Sequence, residues 1–379
     1  MGFHSAYAKG IIMPLTFSQA DALFRQDKLN ELIADTEGRR FLKLRSLNRT
    51  GYLERLFHLA GIVRPDVGTR QLFKAAFSAG ISMTAIETCA REIYQEEREQ
   101  RRSNEADLIN QLYRVQEFNW GGLHQNSLEK TIVNNYVKRI TDFETLCRCV
   151  ENELLTSMRG YVICSWYNHW TSIIIEDIFK DHPNVFPAVG LVKKIDFFIR
   201  DTPFDLKVTY LPEGYLSEKR AATQQRPELT LLKQMARANG LPIASDLATA
   251  ALLQDLWAKV SDHPSDVCRE LITSLQNFRN AVVDEIDRNP VDLIRWLYEN
   301  QGERRFDASN RLFLVLVDQR NFFDSWKLKR AKSLMEVEVR NYLDHCGDKP
   351  GRLVQFDWDG REYSAVSDVI VIRHQKTEL

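Results

Sequence analysis

The sequence predicts an α/β protein with an all-α N-terminal part and a second half built on a mixed sheet flanked by helices. Apolar residues recur at three- and four-residue spacing over residues 16–158, which is typical of amphipathic helices. Short segments rich in β-branched and aromatic residues follow only later, and the continuous apolar run RLFLVLVD (311–318) indicates a strand buried on both faces. We therefore expect a helical domain over residues 1–158 and an α/β domain over residues 159–379.

Composition places the chain among globular proteins and leaves its partners open. Of its 379 residues 44% are hydrophobic, and 51 Lys+Arg against 52 Asp+Glu leave a net charge of -1, so any surface for nucleic acid must be a local patch. The chain has no apolar run of about 18 residues and its N-terminus has no signal-peptide pattern, so we expect a cytoplasmic protein with no membrane segment. Six dispersed cysteines favour reduced thiols over a structural zinc site.

The elements of the second half can be predicted in order. An apolar and then amphipathic stretch over 159–187 predicts a helix that ends near Asp181 and Pro183. LVKKIDFFIR (191–200) and PFDLKVTYL (203–211) predict an antiparallel strand pair. A helical insertion over about 216–300 precedes the buried strand. SWKLKRAKSLMEVEVRNYLDH (325–345) predicts a further helix, and RLVQFDWDG (352–360) and SAVSDVIVIRH (364–374) predict two final strands.

Polar residues interrupt the predicted strand pair at positions where a buried charge needs compensation. Alternate residues of a strand share a face, so Asp205 and Lys207 project together. If the strands pair across the turn near residue 201, Asp196 lies nearly opposite Asp205. Two facing carboxylates can hold Mg²⁺, which prefers oxygen ligands, and a lysine beside them can contact a phosphate and orient the attacking water. An edge hairpin with solvated charges is the structural alternative.

This pattern, Asp196 followed by Asp205-Leu206-Lys207, resembles the PD-(D/E)xK nuclease superfamily of restriction-endonuclease-like fold. Asp205-x-Lys207 is the one acid-x-Lys in the chain, although Ile195-Asp196 stands where the family usually has Pro-Asp. The resemblance implies that both acids and the Leu206 backbone carbonyl bind Mg²⁺. Many members carry a further acid on the preceding helix, and Glu176 has that position, either as a ligand or as a structural acid. Its neighbour Asp177 is expected to face solvent.

Two segments are candidates for DNA contact. Residues 72–93 resemble a helix-turn-helix, with Gly80 at the turn and with Ser82 and Thr84 at the start of a recognition helix. Close packing of small residues in a helical domain would give the same pattern. The segment WKLKRAKS (326–333) concentrates Lys327, Lys329 and Arg330 into a predicted cationic patch, or into an ordinary solvated helix face. The charge-dense residues 91–115 predict a solvated helix.

The resemblance implies a Mg²⁺-dependent endodeoxyribonuclease, with a type II-like restriction endonuclease or another anti-phage defence nuclease as the expected setting. Cutting both strands favours a homodimer, and restriction implies a cognate DNA methyltransferase as a partner. Two alternatives remain open: a non-catalytic helix-turn-helix DNA-binding regulator, and a helical interaction protein in which the hairpin acids are incidental.

Overall fold

The computed structural model describes residues 14–26, 28–118, 130, 132–192, 195–300, 310–348, 350–358 and 361–375. Within these residues the chain forms one six-stranded mixed sheet with many helices. This confirms the predicted mixed α/β class.

The N-terminal part is helical, as its apolar spacing predicts. Local capping explains several helix starts: the Thr16 side chain accepts from the Gln19 amide, and Asp35 and Ser82 cap two later helices in the same way. Phe41 lies in the middle of the core, with its ring 5.3–6.1 Å from four other phenylalanine rings. The helices described within residues 14–112 are α1 (Phe17–Arg25), α2 (Leu29–Ala34), α3 (Thr36–Arg45), α4 (Thr50–Leu59), α5 (Thr69–Ser78) and α6 (Met83–Leu112).

A long helical stretch leads from this part to the sheet. A π-helical turn at Val133–Val137 precedes it, and the chain is then helical from Phe143 to Lys180. Its parts are α7 (Phe143–Cys149), a second π-helical turn (Val150–Leu154) and α8 (Leu155–Lys180). Ile178 and Phe179 at the end of α8 are buried against the sheet, where the Phe179 ring stacks on Phe197 at 4.9 Å.

The sheet has the order β1-β2-β3-β4-β6-β5. Its strands are β1 (Val185–Val192), β2 (Ile195–Ile199), β3 (Thr202–Tyr210), β4 (Arg311–Asp318), β5 (Arg352–Trp358) and β6 (Arg361–His374). β1, β2 and β3 form an antiparallel meander, β4 is parallel to both β3 and β6, and β5 is antiparallel to β6. All eight residues of β4 are buried, which confirms the strand predicted from RLFLVLVD.

Helices enclose the sheet on both faces, which explains why β4 is apolar throughout. Leu312, Leu314 and Leu316 pack with α8 and the last helix, whereas Phe313, Val315 and Val317 pack with three of the helices that lie between β3 and β4. Those three are α9 (Glu213–Ala222), α12 (Asp266–Arg288) and α13 (Val291–Asn300), and the last helix is α14 (Lys332–His345). The other two, α10 (Glu228–Ala238) and α11 (Thr249–Ser261), pack with α12 in a separate buried cluster.

The N-terminal helices and the sheet share a hydrophobic core. Phe186 and Ala188 of β1 and Ile195 and Phe198 of β2 belong to the same buried cluster as the apolar residues of α1 to α6. The predicted boundary between residues 158 and 159 lies inside α8. The helical part is therefore packed directly on the antiparallel end of the sheet.

Two element predictions need correction. The strand predicted over 191–200 is divided, because β1 ends at Val192 and β2 begins at Ile195. The helix predicted from residue 325 begins later, because Phe322–Arg330 is a 3-10 helix and α14 starts at Lys332. In the first case the apolar pattern continues from one strand into the next. In the second it continues from the 3-10 helix into α14.

Candidate functional site

The β2–β3 hairpin carries the two predicted acids directly beyond its paired residues. Ile199 pairs with Thr202 and Phe197 with Phe204, across a turn at Arg200 and Asp201 in which Arg200 has φ 56°. The strand pairing ends there, and Asp196 and Asp205 are the next residues away from the turn, beside Phe197 and Phe204 on the two strands. The hairpin predicted from the sequence therefore forms, with its turn at the predicted place.

The Asp196 side chain takes part in the backbone hydrogen bonding of the neighbouring strand. The amide of Leu206 donates to Asp196 Oδ2 at 2.7 Å, and the amide of Asp205 donates to the carbonyl of Asn310 at 2.9 Å. The Leu206 amide of β3 thus bonds to the Asp196 carboxylate, in the way that it would bond to a backbone carbonyl of a partner strand. This hydrogen bond holds Asp196 beside the segment Asp205-Leu206-Lys207.

Burial and neighbouring charges make Asp196 an unusual carboxyl group. Its burial, together with the negative charges of Glu176 and Asp205, raises its pKa to about 6. The Leu206 amide and the Lys180 ammonium act in the opposite direction. The carboxyl groups of Glu176 and Asp205 thus lie close enough to Asp196 to raise its pKa.

Glu176 reaches this cluster from α8. Its side chain is 31% exposed, and Lys180 Nζ, one helical turn later, donates to Glu176 Oε2 at 2.7 Å. The neighbouring Asp177 was expected to face solvent, and this expectation is wrong. Asp177 is buried because α6 packs over it, and Arg101 donates to both of its carboxylate oxygens.

Asp205 is flanked by two cations. Lys207 Nζ lies 3.1 Å from Asp205 Oδ1, and Arg311 Nε lies 3.4 Å from Asp205 Oδ2. The Lys207 side chain is 48% exposed, so its amino group is held by Asp205 and is still accessible from solvent. Sequence reasoning missed Arg311, which lies at the start of β4 and pairs in parallel register with Asp205. The signal that could have indicated it is its place as a charged residue at the start of the apolar run RLFLVLVD.

The donor set can be tested for its fit to Mg²⁺. No group of three or more His, Cys, Asp or Glu side chains close enough to hold a metal is found among the described residues. Mg²⁺ usually keeps several waters and takes only one or two carboxylates from protein. Asp196 and Asp205, with the carbonyl of Leu206 directly after Asp205, meet that smaller requirement, and Glu176 lies near Asp196. The residues therefore fit a weakly coordinated magnesium ion.

The predicted helix-turn-helix segment does form two helices joined by a tight turn. Gly80 has φ 65° between α5 and α6, and Ala76 is fully buried in the core of the helical part. Ser82 and Thr84 are exposed at the start of α6, where the Ser82 side chain accepts from the Ala85 amide. This segment has the accessibility that a DNA contact requires, while the Ser82 hydrogen bond is one that any helix start could use.

The cationic surface patch predicted over residues 326–333 does not form, because two of its basic side chains point into the protein. Arg330 is buried and donates to the carbonyls of Leu112 and Val115. Lys329 donates to Asn168 Oδ1 at 2.8 Å, and burial lowers its pKa to about 8. Lys327 is 2.8 Å from Asp324 Oδ1. Lys329 and Arg330 thus point towards α8 and the end of α6, while Lys327 stays partly exposed beside Asp324.

Comparison of the chain with protein-family models, with curated proteins and with solved structures gives no match. Within the described part of the chain, no helix is long and apolar enough to cross a membrane.

Proposed function

We propose that this chain is a Mg²⁺-dependent nuclease of restriction-endonuclease-like fold that hydrolyses phosphodiester bonds in DNA. The observation that carries the proposal is the hairpin in which Asp196 accepts from the Leu206 amide next to Asp205, with Lys207 bound to Asp205 and Glu176 near Asp196. A mixed sheet flanked by helices is the setting that the sequence resemblance implies for such a hairpin. The two acids, the lysine and the preceding helical acid all follow from that one resemblance, and contacts and charge effects connect them in the folded chain.

Each side chain has a distinct task in this proposal. Asp196, Asp205 and the Leu206 carbonyl would hold Mg²⁺, which when bound lowers the pKa of a water molecule and neutralises charge on the phosphate. Lys207 keeps its ammonium next to Asp205 and exposed, where it can donate to a phosphate oxygen. Arg311 holds the second oxygen of Asp205 and so restricts its rotation. The Leu206 amide orients Asp196.

The decisive experiment measures DNA cleavage with and without Mg²⁺ in purified protein and in two variants. Asp205→Asn and Lys207→Met should each lower the cleavage rate by about 100-fold or more, because the first weakens the Mg²⁺ site and the second removes a positive charge beside the reacting phosphate. Both variants should still bind DNA in EDTA. Lys28→Met is a matched control, since Lys28 has the same 48% exposure and is also paired with a neighbouring acid, Glu31. Unchanged cleavage by Asp205→Asn would exclude the proposal.

A non-catalytic DNA-binding regulator is the second candidate, and the exposed start of α6 behind the Gly80 turn favours it. In that case DNA binding would be lost on substitution of Ser82 and Thr84 by Ala, and Mg²⁺ would produce no cleavage by the unmodified protein. The same DNA preparations serve for both measurements.

A further inference from the structure

The charge-dense part of α6 is an interface with α8, contrary to the solvated helix expected from its sequence. Asp181, which follows α8, accepts hydrogen bonds from Tyr94, Arg98 and Arg102 of α6. Arg98 is 3% exposed, and its Nη2 also lies 2.8 Å from Glu105 Oε2. The basic side chains of α6 are thus gathered over the end of α8, where Lys180 and Asp181 lie.

A cavity of about 260 Å³ lies at this interface. Four basic and two acidic side chains line it, so the lining carries a net positive charge. The lining residues are Arg91, Tyr94, Gln95, Arg98, Glu99, Arg102, Lys180 and Asp181.

Two cations of the lining are paired with acids from outside it, Lys180 with Glu176 and Arg98 with Glu105, so what the cavity offers a ligand is hydrogen-bond donors that have no partner. Asp181 is already shared by Arg98 and Arg102, and Glu99 is exposed. Arg91 donates from Nη2 to the carbonyl of Pro183. Buried Arg98 retains one nitrogen, Nη1, that has no hydrogen-bond partner among the described residues. A buried guanidinium nitrogen without an acceptor is costly, and a small anion in the cavity is the kind of ligand that would lower this cost.

The size and the donors of the cavity narrow the class of anion. Drug-sized ligands usually occupy about 300–1,000 Å³, so this cavity is too small for a whole nucleotide and is large enough for one phosphate group. Arginine side chains bind phosphate oxygens through paired N–H donors, which makes them the preferred residues for this purpose. Three arginines and one lysine around a small cavity therefore favour a phosphate.

The position of the cavity connects it with the candidate active site. Lys180 lines the cavity, and its Nζ is 2.7 Å from Glu176 Oε2. Glu176 in turn acts electrostatically on Asp196. A phosphate in the cavity would therefore lie on the same side of α8 as the acids and would contact the lysine that neutralises one of them.

We propose that the cavity between α6 and the end of α8 binds a phosphate group of the nucleic-acid strand whose neighbouring phosphodiester is hydrolysed at Asp196 and Asp205. The inference rests on the proposed nuclease function for the identity of the strand, and on the cavity alone for the binding of phosphate. The phosphate is either an internal one of the backbone or a 5′-terminal one. Both present the same oxygens to the arginines.

The test uses a double variant, Arg91→Gln with Arg102→Gln, which leaves the buried Arg98 in place. Arg25→Gln with Arg55→Gln is the control, because it removes two arginines of comparable exposure, both paired with acids, elsewhere on the helical part: Arg25 is 59% exposed against 58% for Arg102. Binding of a short single-stranded DNA is measured by fluorescence anisotropy in EDTA, in the Asp205→Asn background, so that no cleavage occurs. A 5′-phosphorylated and a 5′-hydroxyl oligonucleotide are compared.

The double variant should bind DNA about tenfold more weakly or worse, because two charge-assisted hydrogen bonds are lost, and the control should bind within twofold of the unmodified protein. A loss confined to the 5′-phosphorylated DNA identifies a terminal phosphate, and an equal loss for both identifies an internal one. Inorganic phosphate should raise the midpoint of thermal unfolding in the unmodified protein and in the control, but not in the double variant.

Unchanged affinity of the double variant for DNA and for inorganic phosphate would overturn the inference. Because binding is measured without metal or cleavage, the result is separate from the nuclease test. If Asp205→Asn cleaves normally and the double variant still loses phosphate binding, the nuclease proposal fails and the phosphate site stands. A single Arg102→Gln variant, at an exposed position, covers the case in which the double variant does not fold.

Discussion

At the scale of single residues, the carboxyl group of Asp196 lowers the stability of the folded protein when it is ionised. An ordinary aspartate has a pKa near 3.8, and burial with two nearby carboxylates raises that of Asp196 to about 6. The folded protein therefore holds a proton on Asp196 in a pH range where the unfolded chain has lost it. Perturbed carboxyl groups of this kind are concentrated at functional sites.

The first prediction follows from the sign of this shift. Since the folded-state pKa is the higher one, ionisation opposes folding, and the free energy of unfolding falls as pH rises from about 4 to about 6. Asp196→Asn removes this dependence and keeps an acceptor for the Leu206 amide. We expect the variant to match the unmodified protein near pH 3.5 and to be more stable at pH 7.5 by up to about 3 kcal/mol, as measured by urea unfolding without metal.

Asp181→Asn provides the contrast for this measurement. Hydrogen bonds from Tyr94, Arg102 and Arg98 and the charge of Arg98 hold the Asp181 pKa below its usual value in spite of burial. Its ionised form therefore supports folding above about pH 4, and the Asn variant should be less stable than the unmodified protein at pH 7.5. A loss of stability for Asp196→Asn at pH 7.5 would show that Asp196 is an ordinary structural acid.

At the scale of elements, one buried cation joins several helices of the insertion to one another. Arg279 of α12 is 1% exposed and pairs with Glu213 of α9 and Glu228 of α10. The rings of Trp257, Phe322 and Phe323 lie 4.9–5.4 Å from its guanidinium carbon. Helices α9, α10 and α11 and the 3-10 helix therefore all contact the Arg279 side chain of α12.

Substitution of this arginine should loosen the insertion selectively. Arg279→Met leaves Glu228, which is 6% exposed, without its cation, and removal of one partner from a buried pair costs about 3–5 kcal/mol. We expect faster amide hydrogen exchange in α10 and α11 than in the sheet. Arg269→Met, at an exposed pair with Asp266, should change stability by less than about 1 kcal/mol. Equal exchange in both variants would contradict the prediction.

The elements predicted from the sequence are those whose pattern is local. The residues of β4 are apolar in succession because both neighbours and both faces are covered, and its bounds at 311 and 318 are the predicted ones. β1 was missed because Pro187 and Gly190 are unfavourable in strands. A glycine is needed at position 190 because a Cβ on it would lie 2.3 Å from the carbonyl oxygen of Ser46, a residue 144 positions earlier in the sequence.

In the candidate site too, the features that depend on neighbouring residues were predicted and those that depend on distant residues were not. The spacing of Asp196, Asp205 and Lys207 follows from the hairpin turn, which is local, and the register agrees with it. The contact of Arg311 with Asp205 and the inward direction of Lys329 and Arg330 depend on strands and helices distant in sequence. A run of basic residues indicates exposure only where nothing packs over it, and the sequence does not show that α6 and α8 do so.

At the scale of the whole molecule, one buried lysine connects the N-terminal helices with the hairpin of the candidate site. Lys43 of α3 is 2% exposed and lies over the Phe186 ring. Its Nζ is 2.6 Å from Glu87 of α6 and 2.6 Å from Asp201 in the β2–β3 turn. The helix that carries Ser82 and Thr84 and the hairpin that carries the acids therefore share one cation.

A double-mutant cycle should separate the cation from its partners. Glu87→Gln with Asp201→Asn leaves Lys43 buried without an acid, which should lower the free energy of unfolding by about 3–5 kcal/mol. Lys43→Met alone replaces the lysine with an apolar side chain of similar length and should cost much less. Adding Lys43→Met to the double variant should therefore restore most of the lost stability in urea unfolding, and a further loss would contradict this account.

The core that β1 and β2 share with α1 to α6 limits how this protein can be divided. A shortened chain that starts at residue 159 would begin inside α8 and would leave Phe186, Ala188, Ile195 and Phe198 uncovered. An apolar surface on the antiparallel end of a sheet promotes self-association. The α/β half should therefore precipitate when it is produced alone, and the two halves can be gained, lost or exchanged in evolution only together.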